Sequence, residues 1–148
     1  MQTISRLHRS GVGIAPDRTL SDVAKLMDSS GVGSIAVLDE DRLLGIVTDR
    51  DLVRRGLARD LPTDTRVDSV MSSPVLTIDA HAPLHDAVDT FAQHAVRRLA
   101  VVDDGRFIGM VSLDDLLLDL AGDLRSLTAP LAAELESPQR DSPLPVAT

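Results

Sequence analysis

Apolar positions along the chain follow two different periods. Leu20, Val23, Ala24 and Met27 fall at i, i+3, i+4 and i+7, a spacing that lays one stripe along a helix. Leu84, Ala87, Val88 and Phe91 repeat that spacing farther on. Between and after these stripes come short apolar runs of strand length: Ile35–Leu38 and Leu43–Val47, then Leu99–Val102 and Phe107–Val111. "DEDR" joins the first pair of runs and "DDGR" the second. Asp104-Gly105 is a strong hairpin signal, and the first turn is a weaker one. A short strand is expected before each helix, near Val12–Ile14 and Val75–Ile78, and a second helix after each hairpin. The pattern predicts β-α-β-β-α, twice.

The two halves align without a gap at an offset of 64, from Leu20 on Leu84 to Leu52 on Leu116. Asp22 meets Asp86, Val37 meets Val101, Thr48 meets Ser112 and Asp51 meets Asp115. The chain therefore reads as a tandem duplication. Unit one is expected over 5–58, a polar linker over 59–69 and unit two over 70–121. A further short helix is expected over 122–136, and a Pro- and Ser-rich disordered tail over 137–148. Gly45 and Gly109 lie inside predicted strands, where glycine is costly and marks close approach of another backbone or a ligand.

Composition narrows the function classes. Of 148 residues, 43% are apolar, enough for a core, but the only aromatic residues are two Phe. An aliphatic interior follows, and a stacking platform for single-stranded nucleic acid is excluded. The net charge of −8 repels nucleic acid on average and leaves anionic small ligands only where arginines cluster. Without cysteine there is no disulfide, thiolate nucleophile or sulfur metal site. "MQTISRLHRSGVG" has no apolar signal region and no run is long enough to span a membrane, so a soluble cytoplasmic protein is expected.

Each predicted hairpin ends in a hydroxyl residue followed three positions later by Asp, in "GIVTDRD" and "GMVSLDD". One reading is a capping box, in which the acid bonds back to the backbone N–H of the cap. That box prefers Glu or Gln, whose reach is longer, yet both copies use Asp. The other reading is a ribonucleotide site. A helix N-terminus and a hydroxyl favour phosphate, and a carboxylate accepts from two vicinal hydroxyls at once.

Gly45, Thr48 and Asp51, with Gly109, Ser112 and Asp115, resemble the signature of the CBS domain, the regulatory module named after cystathionine beta-synthase. "VGSIAVLDE" and "VRRLAVVDD" match its second strand. "VRRLAVVDDGRFIGMVSLDDLL" is similar to repeats of the gamma subunit of AMP-activated protein kinase. The resemblance covers about residues 5–121 and implies an α/β (α+β) fold of two repeats packed with pseudo-twofold symmetry. It also implies two clefts for adenine nucleotides, AMP, ADP or ATP. The Asp51 cleft takes Ser34, Thr48 and Arg50 from unit one with Leu76, Thr77, Val96 and Arg97 from unit two. The Asp115 cleft takes Arg98, Ser112 and Asp114 from unit two with Val12, Gly13, Val32 and Gly33 from unit one. Arg97 and Arg98 stand where the gamma-subunit pattern has a phosphate-touching His-Arg pair, whereas unit one has Gly33-Ser34. Unit one also lacks the lead-in "RVDSVMSSP" that precedes unit two.

No catalytic constellation is evident, so the expected function is non-catalytic nucleotide sensing, acting in trans on an unknown partner. The resemblance implies a homodimer paired through helices into a four-unit disc. Alternatives are a dimerisation adaptor with empty clefts, or a binder of S-adenosylmethionine or NAD. His81 and His85 lie i, i+4 with only Asp86 close by, too few ligands for a metal, so none is expected. Arg50 beside Asp51 and Asp114 beside Asp115 suggest that the first cleft tolerates ADP or ATP and the second prefers AMP or an uncharged adenosine compound.

Overall fold

The computed structural model describes residues 3–136. The expected hairpins form as β3 (Ser34–Asp39) with β4 (Arg42–Thr48) and β6 (Arg98–Asp103) with β7 (Arg106–Ser112). Their turns use left-handed backbone at Glu40 (φ 55°) in one and at Asp104 and Gly105 (φ 50° and 77°) in the other. Both registers slip at the same place, between Val37 and Leu38 and between Val101 and Val102, so the duplication extends to an irregularity in the pairing. The short lead strands are β2 (Gly13–Ile14), parallel to β3, and β5 (Thr77–Asp79), parallel to β6.

One further strand has no counterpart in the apolar pattern. β1 (Arg9–Ser10) pairs antiparallel with β7, giving sheets β2-β3-β4 and β1-β7-β6-β5. The lead-in of unit one, ahead of β2, thus joins the sheet of unit two. Ile4 goes with it, wholly buried among Phe91, Leu99, Val111 and Leu116. In the reciprocal arrangement, the stretch before unit two serves unit one. Val67 and Val70, within or beside the linker expected to be polar, are buried with Leu20, Val23, Val37 and Val47. Ser72 and Ile46 exchange backbone hydrogen bonds of 2.8 and 3.0 Å.

Helix α1 (Leu20–Ser30) opens on a complete capping box of Thr19 and Asp22 and closes on left-handed Gly31. Helix α3 (Leu84–His94) opens on Pro83 without a side-chain cap and closes on left-handed Ala95. Leu20, Val23 and Met27, and in α3 Ala87 and Phe91, are buried. Ala24 and Val88, also expected on the buried stripe, are exposed. Each helix has one sheet to cover, and the i+4 position rolls past its edge. The second helices differ. α2 (Asp49–Asp51) is one turn that continues as a wider π-type turn, Leu52–Gly56, and a 3-10 turn, Leu57–Arg59. α4 (Leu113–Glu136) is one helix of 24 residues. Residues 122–136 extend it through Pro130 instead of forming the separate helix expected there. The units also touch at the hairpins, where the Phe107 N–H donates to the Asp41 carbonyl at 3.1 Å.

Candidate ligand cleft between the two units

Gly45 and Gly109 explain how the motif segments are placed. A Cβ on Gly109 would collide with the Arg9 carbonyl, and one on Gly45 would lie 2.8 Å from the Ser72 carbonyl. Each glycine admits the crossing segment against its hairpin, just before the strand delivers its hydroxyl residue to a helix N-terminus.

The two motif ends then diverge. In unit one the Thr48 N–H donates to Asp51 Oδ2 at 3.0 Å and the Asp51 N–H donates to Thr48 Oγ1 at 3.1 Å. The shorter acid does close the capping box. The other oxygen, Oδ1, lies 3.9 Å from Arg55 Nε. In unit two the Asp115 N–H donates to Ser112 Oγ at 3.0 Å, but the carboxylate receives Arg9 Nη2 at 3.0 Å. Asp115 is therefore held by a 79% exposed arginine from β1, where Asp51 is held by backbone.

Between the units lies a cavity of about 760 Å³. Of the residues expected at the Asp115 cleft, Arg98, Ser112, Asp114, Asp115, Val12, Val32 and Gly33 line it. So do Ser34, Thr48, Arg50 and Arg97, expected at the Asp51 cleft. Asp51 is not part of the lining. Leu76 and Val96 pack against the core of unit two, and Thr77 is exposed on β5. Gly13 lines a shallower recess against α1 with Arg18 and Lys25. Basic side chains expected at both clefts thus line this one cavity. Arg9, Arg50, Arg97 and Arg98 all face one cavity, alongside Asp49, Asp114 and Asp115. Arg97 and Asp114 are 3.9 Å apart, with both side chains largely exposed.

Sequence reasoning missed Arg9, Ser10 and Gly11. The signal for Arg9 was Gly109, whose need for a close backbone neighbour left that neighbour unnamed. Chemically, the cavity offers apolar walls at Val12 and Val32, a hydroxyl on a helix N-terminus, and four arginines among three carboxylates, of which Asp115 is ion-paired to Arg9. Among the described residues no group of three or more metal-ligating side chains occurs. No described helix is long and apolar enough to cross a membrane.

The family model for the CBS domain matches residues 5–58 and 67–122. CBS domain-containing protein YhcV of Bacillus subtilis is 36% identical over 106 residues, 72% of this chain and 76% of that protein. Hypoxic Response Protein I, solved with two coordinated zinc ions, superposes with a TM-score of 0.70 at 29% identity, covering 78% of this chain and 97% of its own. CBS domain protein PAE2072 of Pyrobaculum aerophilum, solved as a complex with AMP, also gives a TM-score of 0.70, at 26% identity, over 82% and 99% of the two chains.

Proposed function

The chain belongs to the CBS domain family as a tandem pair, and from that premise we propose that it is a non-catalytic, cytoplasmic sensor of adenine nucleotides that works as a homodimer and signals in trans to a partner protein. One observation carries the ligand class. Four arginines, drawn from β1 and from both units, face the same cavity as Asp115 and the Ser112 helix N-terminus. Cations for phosphate beside an acceptor-only group for a ribose diol describe a nucleotide. The AMP bound to PAE2072 supports the same class.

In this reading Asp115 takes the ribose hydroxyls, and Val12 and Val32 flank the base. Ser112, Arg98, Arg97 and Arg50 meet phosphate, with Ser34, Thr48, Gly33 and Asp114 on the rim. The ribose must displace Arg9 from Asp115, which frees that guanidinium toward the phosphates. Asp51, Leu76, Thr77, Val96 and Gly13 remain candidates for a second, weaker position. Signalling follows if the ligand binds one arrangement of the two units better than another.

Isothermal titration of AMP, ADP, ATP, S-adenosylmethionine and NAD into the chain and into Asp115→Ala tests the reading. The expected result is binding of the adenine nucleotides that weakens at least tenfold in Asp115→Ala, on the scale of about 1.5–3 kcal/mol for a charge-assisted hydrogen bond. Absence of binding by every nucleotide would favour the adaptor. Preference for S-adenosylmethionine or NAD would change the ligand and keep the site.

A further inference from the structure

Past Ala121 helix α4 leaves the body of the molecule, and every residue from 122 to 136 is exposed. Its leucines nonetheless keep a strict order. Leu117, Leu124 and Leu131 are spaced by seven, with Leu120 and Leu127 between them at alternating steps of three and four. This is the a and d pattern of a heptad, whose period of 3.5 keeps one seam turned toward a second helix. The five leucines are 40 to 74% exposed, and Leu135, at the edge of the seam, is 87% exposed. The seam is separate from the parts of α4 already in use, since Leu116 is buried in the core and Leu118 lines the cleft.

We propose that this seam is closed by a second copy of the chain, as a parallel, in-register two-helix coiled coil over Leu117–Leu131. Period is the first argument, because a repeat of this kind is complementary to another helix carrying the same repeat. Area is the second. The exposed seam offers on the order of 500 Å² from each copy, which together reaches the ~1,000 Å² that marks a specific interface. Charge is the third. The flanking positions are Leu116, Ala121, Asp123, Thr128 and Pro130, with one charge among them. A basic partner helix would need an acidic ladder there, and none exists. Conversely, two copies can approach without repulsion. A bilayer surface is disfavoured because the exposed stretch 122–136 carries Asp123, Glu134 and Glu136 with only Arg125, the reverse of a lipid-binding helix. Asp123 sets the direction. Parallel pairing places it beside Thr128 of the second copy, whereas antiparallel pairing sets two Asp123 side chains against each other.

The chain has no cysteine, so single-cysteine variants report contacts without background. Under mild oxidation at low micromolar concentration, Leu124→Cys and Leu120→Cys should each form a covalent dimer. Gly122→Cys, on the outer face, should not. Adding Leu127→Glu to Leu124→Cys should cut the rate of cross-linking at least tenfold. Leu→Cys only shortens an exposed side chain, and a Cβ at Gly122 meets nothing within 4 Å, so folding is not at stake. Cross-linking of Leu124→Cys no faster than that of Gly122→Cys, or unaffected by Leu127→Glu, would overturn the proposal. So would co-sedimentation of the chain with vesicles of equimolar phosphatidylcholine and phosphatidylserine that Leu127→Glu abolishes.

Discussion

Gly109 has almost no surface, yet no side chain could replace its hydrogen. The Arg9 carbonyl occupies the space a Cβ would need, and that carbonyl belongs to the strand that carries Arg9 to Asp115. Gly109→Ala should therefore detach or displace β1 and cost about 1–3 kcal/mol, as overpacking does; urea unfolding measures it, and an unchanged midpoint would contradict the contact. Arg9 itself invites a ligand test. A ribose bound at Asp115 competes with this ion pair, and exposed pairs are worth roughly 0.2–1 kcal/mol. Arg9→Ala should tighten adenosine binding by about 1.4- to 5-fold, a range that is the same energy converted through RT. Adenosine has no phosphate, so loss of a cation does not confuse the reading. Asp22 shows a residue-scale pH effect. The Thr19 backbone N–H, then the Thr19 hydroxyl and Arg18, hold its carboxyl below the ordinary 3.8. A lowered folded value means that the stabilisation is complete above the unfolded value. It is lost as pH falls from there through the folded value. Wild type should exceed Asp22→Asn in urea midpoint near neutrality, and the gap should close only below about pH 4.

At the scale of elements, the duplication sets up an internal comparison. α1 ends on Gly31 in the left-handed region at φ 65°, and α3 ends at the equivalent Ala95 at φ 51°. Alanine bears a steric penalty there that glycine avoids. Ala95→Gly should raise stability by about 0.5–1 kcal/mol, part of the relief being offset by glycine's freedom in the unfolded chain; thermal or urea unfolding checks the sign. The hairpins and the capping-box reading of Thr48 were legible because their signals are local: Asp104-Gly105 makes a turn, and Thr48-x-x-Asp51 closes a box. Thr19-x-x-Asp22 carries the same signal and was passed over. The stripe positions Ala24 and Val88 were misassigned because helical spacing alone does not say how wide the covering sheet is. The π-type turn Leu52–Gly56 was invisible for a related reason. Its equivalent in unit two, Leu116–Leu120, is regular helix, and the two segments share only their first apolar pair, so the repeat does not carry the type of turn across. Asp51 and Asp115 looked interchangeable in sequence. Their partners, Thr48 in one case and Arg9 in the other, are set by which segment crosses nearby.

For the molecule as a whole, the crossing segments matter most. The offset of 64 divides the chain into repeats, but the cores are divided elsewhere. Ile4 is buried in unit two, and Val67 and Val70 in unit one. Sequence periodicity could not reveal this, since a lone isoleucine ahead of the first strand carries no address. Ile4→Ala should cost about 2–5 kcal/mol, the range for emptying a core site, despite lying in a segment where substitutions are usually tolerated. A urea midpoint close to wild type would show that the arm is not seated. The arrangement also bears on order in time. Ile4 leaves the ribosome roughly 110 residues ahead of Leu116, one of its core neighbours. At about 5–20 residues per second, that is a wait on the order of 5–20 s. Unit one, whose own core is complete by Val70, can condense during that interval. The arm must stay unseated and accessible until β7 and α4 emerge, so that a segment synthesised ahead of both hairpins is among the last to take its place.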